Sequence, residues 1–266
     1  MSALQRVGAA ILSRALAVYA VLALVYLLLP IFMVAMFSFN DPIGRSNYSW
    51  SSFTLDNWLT LFRDPSLVKA VGTSLRIALI STVVATSIGT LMAMALVRYA
   101  FRFRRAVDLF VFLPLATPEI VLGASLLTLF VAIGRPPFFP LNGFTILIAH
   151  ISFNISYVIV TVRARISGFD RRLEEAAADL GADEWVTFWK VTFPLILPGI
   201  LAAALLAFSL SIDDFVITNF TAGRTVTFPM FVWGAARIGV PPEVNAIGTS
   251  FFALSVVAVA IGTILQ

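Results

Sequence analysis

Long apolar runs alternate with short polar segments along the whole chain. A helix of about 20 apolar residues crosses the hydrocarbon core of a bilayer. Segments of that kind cover residues 15–39, 75–97, 106–133, 141–162, 195–218 and 246–265. The pattern therefore predicts an all-α membrane protein, with six transmembrane helices in a single transmembrane domain.

Proline interrupts the third predicted span at Pro114 and Pro118. Proline has no backbone N–H, and its ring collides with the preceding helical turn. The carbonyl groups that a break leaves free are tolerated at membrane depth only where they face protein or a water-filled cavity. We therefore expect a polar pathway to pass near this span.

Composition supports the membrane class and excludes disulfide-bonded proteins and thiolate metal proteins. Hydrophobic residues make up 60% of the chain and charged residues 12%, whereas soluble domains are about half apolar and a quarter charged. Cysteine is absent, so the sequence contains neither disulfides nor thiolate metal sites. The apolar run after Arg14 is too long for a signal-peptide core, so we interpret it as a retained span.

Basic residues set the predicted orientation, because Lys and Arg collect on the cytoplasmic side of membrane proteins. They are densest between spans two and three and between spans four and five: Arg98, Arg102, Arg104, Arg105, Arg163, Arg165, Arg171, Arg172 and Lys190. This distribution predicts a cytoplasmic N-terminus. Because membrane orientation explains the net charge of +4, we expect the lipid bilayer as a partner and no nucleic acid.

The loop at residues 163–194 is the longest predicted cytoplasmic connection, and it contains signals for two short helices. Asp170 is placed to cap the first helix, and Gly181 suits the left-handed position that ends one. Asp183 is placed to cap the second helix, and Pro194 is expected to stop it. The first helix carries an apolar stripe that lipid cannot cover, so a cytosolic partner or the inner ends of the spans must receive it.

Spacing within this loop resembles the EAA loop of the permease subunits of binding-protein-dependent ABC importers. That motif reads E-A-A, three residues, G, nine residues and I-x-L-P. The matching residues here are Glu175, Ala176, Ala177, Gly181 and Val191-Thr192-Phe193-Pro194. Val191 and Phe193 stand where the family usually has Ile and Leu, and both remain apolar.

The resemblance implies the architecture of a type I ABC importer permease. In that family the loop forms a coupling helix that sits in a groove of the ATPase subunit. It implies that contacts to an ATPase come from Glu174, Glu175, Ala176, Ala177 and Gly181.

The chain offers no catalytic machinery of its own, and we do not expect an enzyme. It lacks the G-x-x-x-x-G-K-[ST] loop that binds nucleotide phosphates, so ATP and Mg²⁺ are expected on a separate ATPase subunit. The only histidine, His150, lies inside the fourth predicted span. A lone histidine there is expected to be hydrogen-bonded between helices, and no metal site is predicted.

Three acids are candidates for such a pathway: Glu119 in the third predicted span, and Asp213 and Asp214 in the fifth. Ionisable groups at membrane depth usually face a cavity or a partner, and acids favour a cation as the transported solute. Two alternatives remain open. Glu119 can hydrogen-bond across helices, and either aspartate can cap the segment that follows. Arg76 in the second span is the one basic counter-example, and it can neutralise one acid.

Further segments resemble the spermidine/putrescine branch of this permease family, specifically its second permease subunit. They are residues 113–121, 209–216 and 239–246. This resemblance implies a polyamine as the solute and a location in the bacterial inner membrane. It also implies a heterodimer with a similar permease, two ATP-binding subunits and an extracytoplasmic substrate-binding protein.

Other solutes and another transporter class remain as alternatives. Permeases for ferric iron or thiamine share the EAA loop, so the solute is the least constrained expectation. A secondary transporter needs no ATPase, and the spacing of the EAA loop argues against it.

Overall fold

A computed structural model describes residues 3–44, 46–168 and 170–264. The helices are α1 (Ala3–Phe37), α2 (Asp56–Leu59), α3 (Pro65–Arg98), α4 (Arg104–Ala116), α5 (Glu119–Ile133), α6 (Gly143–Ser167), α7 (Arg172–Asp179), α8 (Glu184–Thr187), α9 (Phe193–Asp213), α10 (Val216–Thr221), α11 (Phe228–Ile238) and α12 (Pro242–Ile264). A π-helical turn (Phe188–Thr192) joins α8 to α9. Strands β1 (Asn40–Asp41) and β2 (Ser52–Phe53) pair antiparallel.

Within the described residues, four helical stretches are long and apolar enough to cross a membrane: Arg14–Phe37, Pro65–Arg98, Gly143–Ser167 and Glu184–Asp213. The pair α4 and α5, bent by 111°, makes a fifth if it is one broken span. These helices confirm the all-α membrane class. The sixth predicted span falls on α12, but Leu265 lies outside the described residues. The count of six and the cytoplasmic N-terminus stay predictions.

The break in the third span lies at Pro118 and not at Pro114. Pro114 is inside α4, and the helix continues past it to Ala116. Thr117 then turns to an extended conformation with ψ 132°, because a residue that precedes proline is driven out of the helical region. Pro118 follows, and α5 begins at Glu119.

The fifth predicted span differs from expectation at both ends. Pro194 does not stop a helix there: the π-helical turn leads straight into α9, and the Phe193 N–H bonds to the Phe188 carbonyl. This wider turn ends just before Pro194, at the start of α9, where the missing N–H of proline is tolerated. At the other end α9 stops at Asp213, and Asp214 is extended with ψ 120° before α10 begins.

The chain divides into two compact units, Met1–Pro65 with Val232–Gln266, and Ser66–Phe231. In the first unit α1 packs on α12. Its loop after α1 is held by Asn40, whose amide donates to Asn47 Oδ1 at 2.6 Å, and by Phe39, which stacks on Trp58. The single transmembrane domain stays a prediction.

The second unit packs α3, α6 and α9 together, with alanines of α3 and α9 against branched side chains of α6. Its buried core includes Ala85, Ala93, Val158, Ile159, Ala203 and Ala207. A Cβ added at Gly89 of α3 would lie 2.6 Å from Val158 Cγ1 of α6. Small residues allow this close approach, which is how membrane helices associate without a hydrophobic driving force.

Candidate functional site

The 163–194 loop forms the two short helices that its sequence predicts. Asp170 Oδ1 accepts a hydrogen bond from the Arg172 N–H at 3.0 Å, at the start of α7. Gly181 follows α7 with φ +84°, a conformation that glycine adopts without steric strain. Asp183 Oδ1 accepts from the Val186 N–H at 2.7 Å and caps α8. The predictions for Gly181 and Asp183 are confirmed, whereas Asp170 lies one residue before the N-cap of α7, which is Arg171.

Much of the surface of α7 is exposed. None of its residues is buried. Leu180, just after the helix, is 90% exposed, and Trp185 in α8 is 70% exposed. The inner ends of the described spans therefore do not cover the apolar stripe on α7. This apolar surface is accessible to a partner.

Glu174 and Glu175 are adjacent in α7 but have different surroundings. Glu174 forms an ion pair with Arg98 and accepts a hydrogen bond from the Thr192 hydroxyl. Glu175 is exposed, and in the described parts of the chain its side chain has neither a hydrogen bond nor an ion pair. Of the two, only Glu175 is free to contact another subunit.

His150 joins two helices through both of its ring nitrogens, as predicted. Nδ1 lies 2.7 Å from Ser211 Oγ of α9, and Nε2 lies 2.9 Å from Thr218 Oγ1 of α10. Ser211 continues the network to Ser81 Oγ of α3 at 3.0 Å. His150 is 2% exposed, so this network is sealed inside the second unit.

Asp214 belongs to the same buried network. Its side chain is 6% exposed, and its Oδ2 lies 3.3 Å from His150 Nε2. The same oxygen accepts from the Thr218 N–H at 2.8 Å and from the Thr218 hydroxyl at 2.7 Å. The capping alternative for this aspartate therefore describes its geometry: Asp214 supplies the first turn of α10 with its missing acceptor.

Asp213 and Glu119, in contrast, are exposed. Neither forms an ion pair within the described residues. They are brought together because α5 packs on α10, so closely that a Cβ at Gly123 would lie 2.7 Å from Phe220 Cδ2. The charge of Glu119 interacts with those of Asp213 and Asp214.

Arg76 does not neutralise these acids. Among residues 3–44, 46–168 and 170–264 it forms no ion pair. Arg76 is exposed and lines a groove between α3 and the start of α6, beside Thr73 and Phe144. The described part of the chain also places no group of three or more His, Asp and Glu side chains around a metal position.

Comparison with known proteins decides the family. Residues 85–266 match the family described as the binding-protein-dependent transport system inner membrane component. The chain belongs to this family. It is a permease of the bacterial inner membrane, a multi-pass transport subunit and not an enzyme.

Among the permease's relatives, the spermidine/putrescine transport system permease protein PotC of Haemophilus influenzae is 37% identical over 90% of this chain and 91% of its own. PotC of Escherichia coli strain K12 is 39% identical over 88% and 87%. The putrescine transport system permease protein PotI of that strain is 38% identical over 86% and 82%.

Solved structures share the permease's fold. A chain of a bacterial alginate ABC transporter, in complex with a periplasmic protein bound to an alginate pentasaccharide, matches with a TM-score of 0.69 at 17% identity, over 97% of this chain and 94% of its own. A chain of the MetNI methionine ABC transporter, in an inward-facing conformation, matches with a TM-score of 0.56 at 15% identity, over 79% and 95%. These likenesses support the ABC importer architecture.

Sequence reasoning missed the partners of the permease's polar groups. Thr218 lies four residues after Asp214. That spacing suits capping by the aspartate, so it was a local signal that the helix breaks at Asp214. Arg98 lies 76 positions before Glu174, and His150 lies 61 before Ser211. No local pattern connects residues so far apart.

Proposed function

We propose that this permease forms half of the membrane pathway of an ATP-driven importer whose solute is a polyamine such as spermidine or putrescine. One observation carries the choice of solute. Glu119 and Asp213, at the ends of two broken helices that are packed together, are exposed acids without an ion-pair partner in the described chain. An acid at membrane depth cannot face lipid, so both must face a water-filled path or a partner.

A polyamine suits such a path because its amines are protonated at neutral pH. Pairing one ammonium group with a carboxylate in a low-dielectric path gains on the order of a few kcal/mol, against a desolvation penalty of similar size. The two contributions nearly cancel, which permits release. High affinity then belongs to the external binding protein, and this chain binds the solute weakly. The names of the relatives, which include spermidine and putrescine, support the same solute class.

The proposed assembly contains this permease, a second and similar permease, two ATP-binding subunits and an extracytoplasmic substrate-binding protein. ATP and Mg²⁺ lie on the ATP-binding subunits. The exposed α7 and the spacing of Glu175, Ala176, Ala177 and Gly181 support contact between this loop and an ATP-binding subunit. Glu174 contributes from inside the permease, since its carboxylate is already paired.

The proposed mechanism is alternating access. A loaded binding protein docks on the outer face, and ATP binding draws the two ATP-binding subunits together. The 163–194 loop passes this closure to the spans, and the path opens toward the binding protein. Hydrolysis reverses the motion, and the solute leaves toward the cytoplasm.

The test is uptake of labelled spermidine into vesicles that contain the reconstituted complex. Uptake is expected only with ATP and the binding protein, and excess putrescine should compete. Movement of solute by this chain alone would refute the importer. Competition by thiamine or ferric iron, with none by putrescine, would assign the permease to another branch of the family.

Glu175→Arg tests the coupling contact within the same assay. The reversed charge should abolish uptake while the protein stays folded, because α7 has no buried residue to disturb. Asp179→Arg is the matched control: it makes the same charge change one turn later on α7, and it should retain most of the uptake. Normal uptake with Glu175→Arg would remove the proposed contact.

A further inference from the structure

Three elements of the second unit meet at the carboxylate of Glu174. Arg98 is the last residue of α3, Glu174 is in the first turn of α7, and Thr192 ends the π-helical turn before α9. Glu174 Oε1 accepts from Arg98 Nη2 and from Thr192 Oγ1, and Arg98 Nη2 lies 3.4 Å from that hydroxyl. We call these three residues the inner clamp.

The inner clamp is partly shielded from water. Thr192 is buried at 2% exposure, and the side chains of Arg98 and Glu174 are 27% and 20% exposed. A second contact lies beside it, where Arg171 Nη2 donates to the Val97 carbonyl at 3.3 Å. The start of α7 is therefore attached to the end of α3 at two points.

Packing holds α7 only weakly: it lies against α8 and the π-helical turn, but none of its eight residues is fully buried. An isolated helix of that length is also unstable in water. Its orientation on the described chain therefore depends on polar contacts at its start, and the inner clamp provides the charged ones. A substitution there should release α7 without opening an apolar core.

Beyond Thr192 the chain continues as α9 for 21 residues to Asp213, a length of about 31 Å. The inner clamp thus connects α7 to the near end of the helix whose far end carries an exposed acid. Through Arg98 it also connects α7 to α3, which packs in the same core.

We propose that Arg98, Glu174 and Thr192 are positioning residues that transfer movement of α7 to α3 and α9. Glu174 thereby acts within the permease, whereas its neighbour Glu175 acts on the ATP-binding subunit. The role in transport rests on the proposed function, but the clamp itself is a property of this chain. The competing explanation is an ordinary partly exposed ion pair, which contributes little to stability or to coupling.

A charge exchange tests the transfer. In the reconstituted complex, Glu174→Arg and Arg98→Glu should each lower the solute imported per ATP hydrolysed by about tenfold, the effect of a coupling energy within the usual range for contacting residues. The double substitution restores opposite charges and should recover most of that loss. Asp179→Asn, an exposed acid on the same helix, is the control and should leave the ratio unchanged.

If the double variant assembles normally but imports no better than either single variant, the transfer role is wrong. Thr192→Val covers the case in which a reversed charge prevents assembly, since valine keeps the shape of threonine and removes only the hydroxyl. It should lower the same ratio by about threefold, about 0.65 kcal/mol. An unchanged ratio would also contradict the proposal.

A distance measurement tests the clamp apart from transport. The chain has no cysteine, so cysteines introduced at Asp179 and Arg102 can carry spin labels as the only labelled sites. Glu174→Gln should broaden the distance distribution between them, relative to the same labelled pair with Glu174 present. An unchanged distribution would overturn the clamp, whatever the complex transports. A broadened distribution with an unaltered import ratio would overturn its part in coupling.

Discussion

Two helix breaks in this permease carry an acid, and the two acids have opposite surroundings. Between α4 and α5 the break follows from proline: Thr117 is extended, Pro118 ends the hydrogen-bond ladder, and Glu119 is exposed. Between α9 and α10 there is no proline. The side chain of Asp214 is buried there, caps α10 and approaches His150.

The difference shows that an acid at a helix break can either stabilise that break or take no part in stabilising it. Where proline makes the break, the carboxylate of Glu119 is not needed to stabilise it. Where no proline is present, the carboxylate of Asp214 stabilises the break through its own hydrogen bonds. Asp213, one position earlier, is exposed like Glu119. An exposed acid and a structural acid can therefore be neighbours.

The largest effect is expected from Asp214→Ala. It leaves the Thr218 N–H without its acceptor and His150 without its carboxylate neighbour, which should destabilise the fold by about 3 kcal/mol. Thermal unfolding of the detergent-purified permease measures the loss. Asp213→Ala is the control at the adjacent position and should change stability by less than about 0.5 kcal/mol. If both variants lost the same amount of stability, Asp213 and Asp214 would not differ in their structural role.

Glu119→Gln should act on transport and not on stability. Glutamine keeps the size of the side chain and removes its charge, so one ammonium contact is lost and uptake of labelled spermidine should fall about tenfold, close to 1.4 kcal/mol. The rate of ATP hydrolysis and the melting temperature serve as internal controls. An unaltered uptake rate would remove Glu119 from the pathway.

Asp213→Asn should also lower uptake without lowering stability, but by a smaller factor than Glu119→Gln. Asp213 lies beside the charge of Asp214, so the local field stays negative when Asp213 is neutralised. Uptake should fall by about threefold, about 0.65 kcal/mol. A loss of folded protein in place of a loss of uptake would place Asp213 with Asp214 as a structural acid.

The smallest effect is expected from Ser81→Ala, at the far end of the buried network. It removes the 3.0 Å contact with Ser211 but keeps the contacts of His150 and Asp214. Hydrogen bonds between membrane helices contribute about 0.6 kcal/mol on average, and thermal unfolding should show a loss of that size. A loss as large as that of Asp214→Ala would mean that the network acts as one unit.

Sequence patterns predicted the features that depend on neighbouring residues. Gly181 and Asp183 each act within four positions of the backbone they cap, so local propensity was sufficient. The break at Asp214 was left as an alternative, because its partner His150 comes from another helix. The different surroundings of Glu174 and Glu175 were missed for the same reason: the ion-pair partner of Glu174, Arg98, comes from another helix.

The error at Pro194 has another origin. Proline is a reliable signal for the end of an α-helix, but here the preceding turn is wider than an α-turn and the chain continues. Hydrophobic periodicity does not reveal such a turn, because Trp189 and Phe193 are apolar in either geometry.

The π-helical turn at Phe188–Thr192 also sets the rotational phase of everything that follows it. A π-helical turn closes with five residues where an α-turn closes with four, so it accommodates one extra residue locally. If the same sequence closed as a regular α-helix, everything downstream would rotate by about 100° about the helix axis. Ile196, Gly199, Ala203, Ala207 and Ser211 now share the buried face of α9, and all five would turn away together. A single-codon deletion inside the turn would therefore remove the extra residue and keep this face aligned, whereas the same deletion within α9 would turn every later residue away from the core.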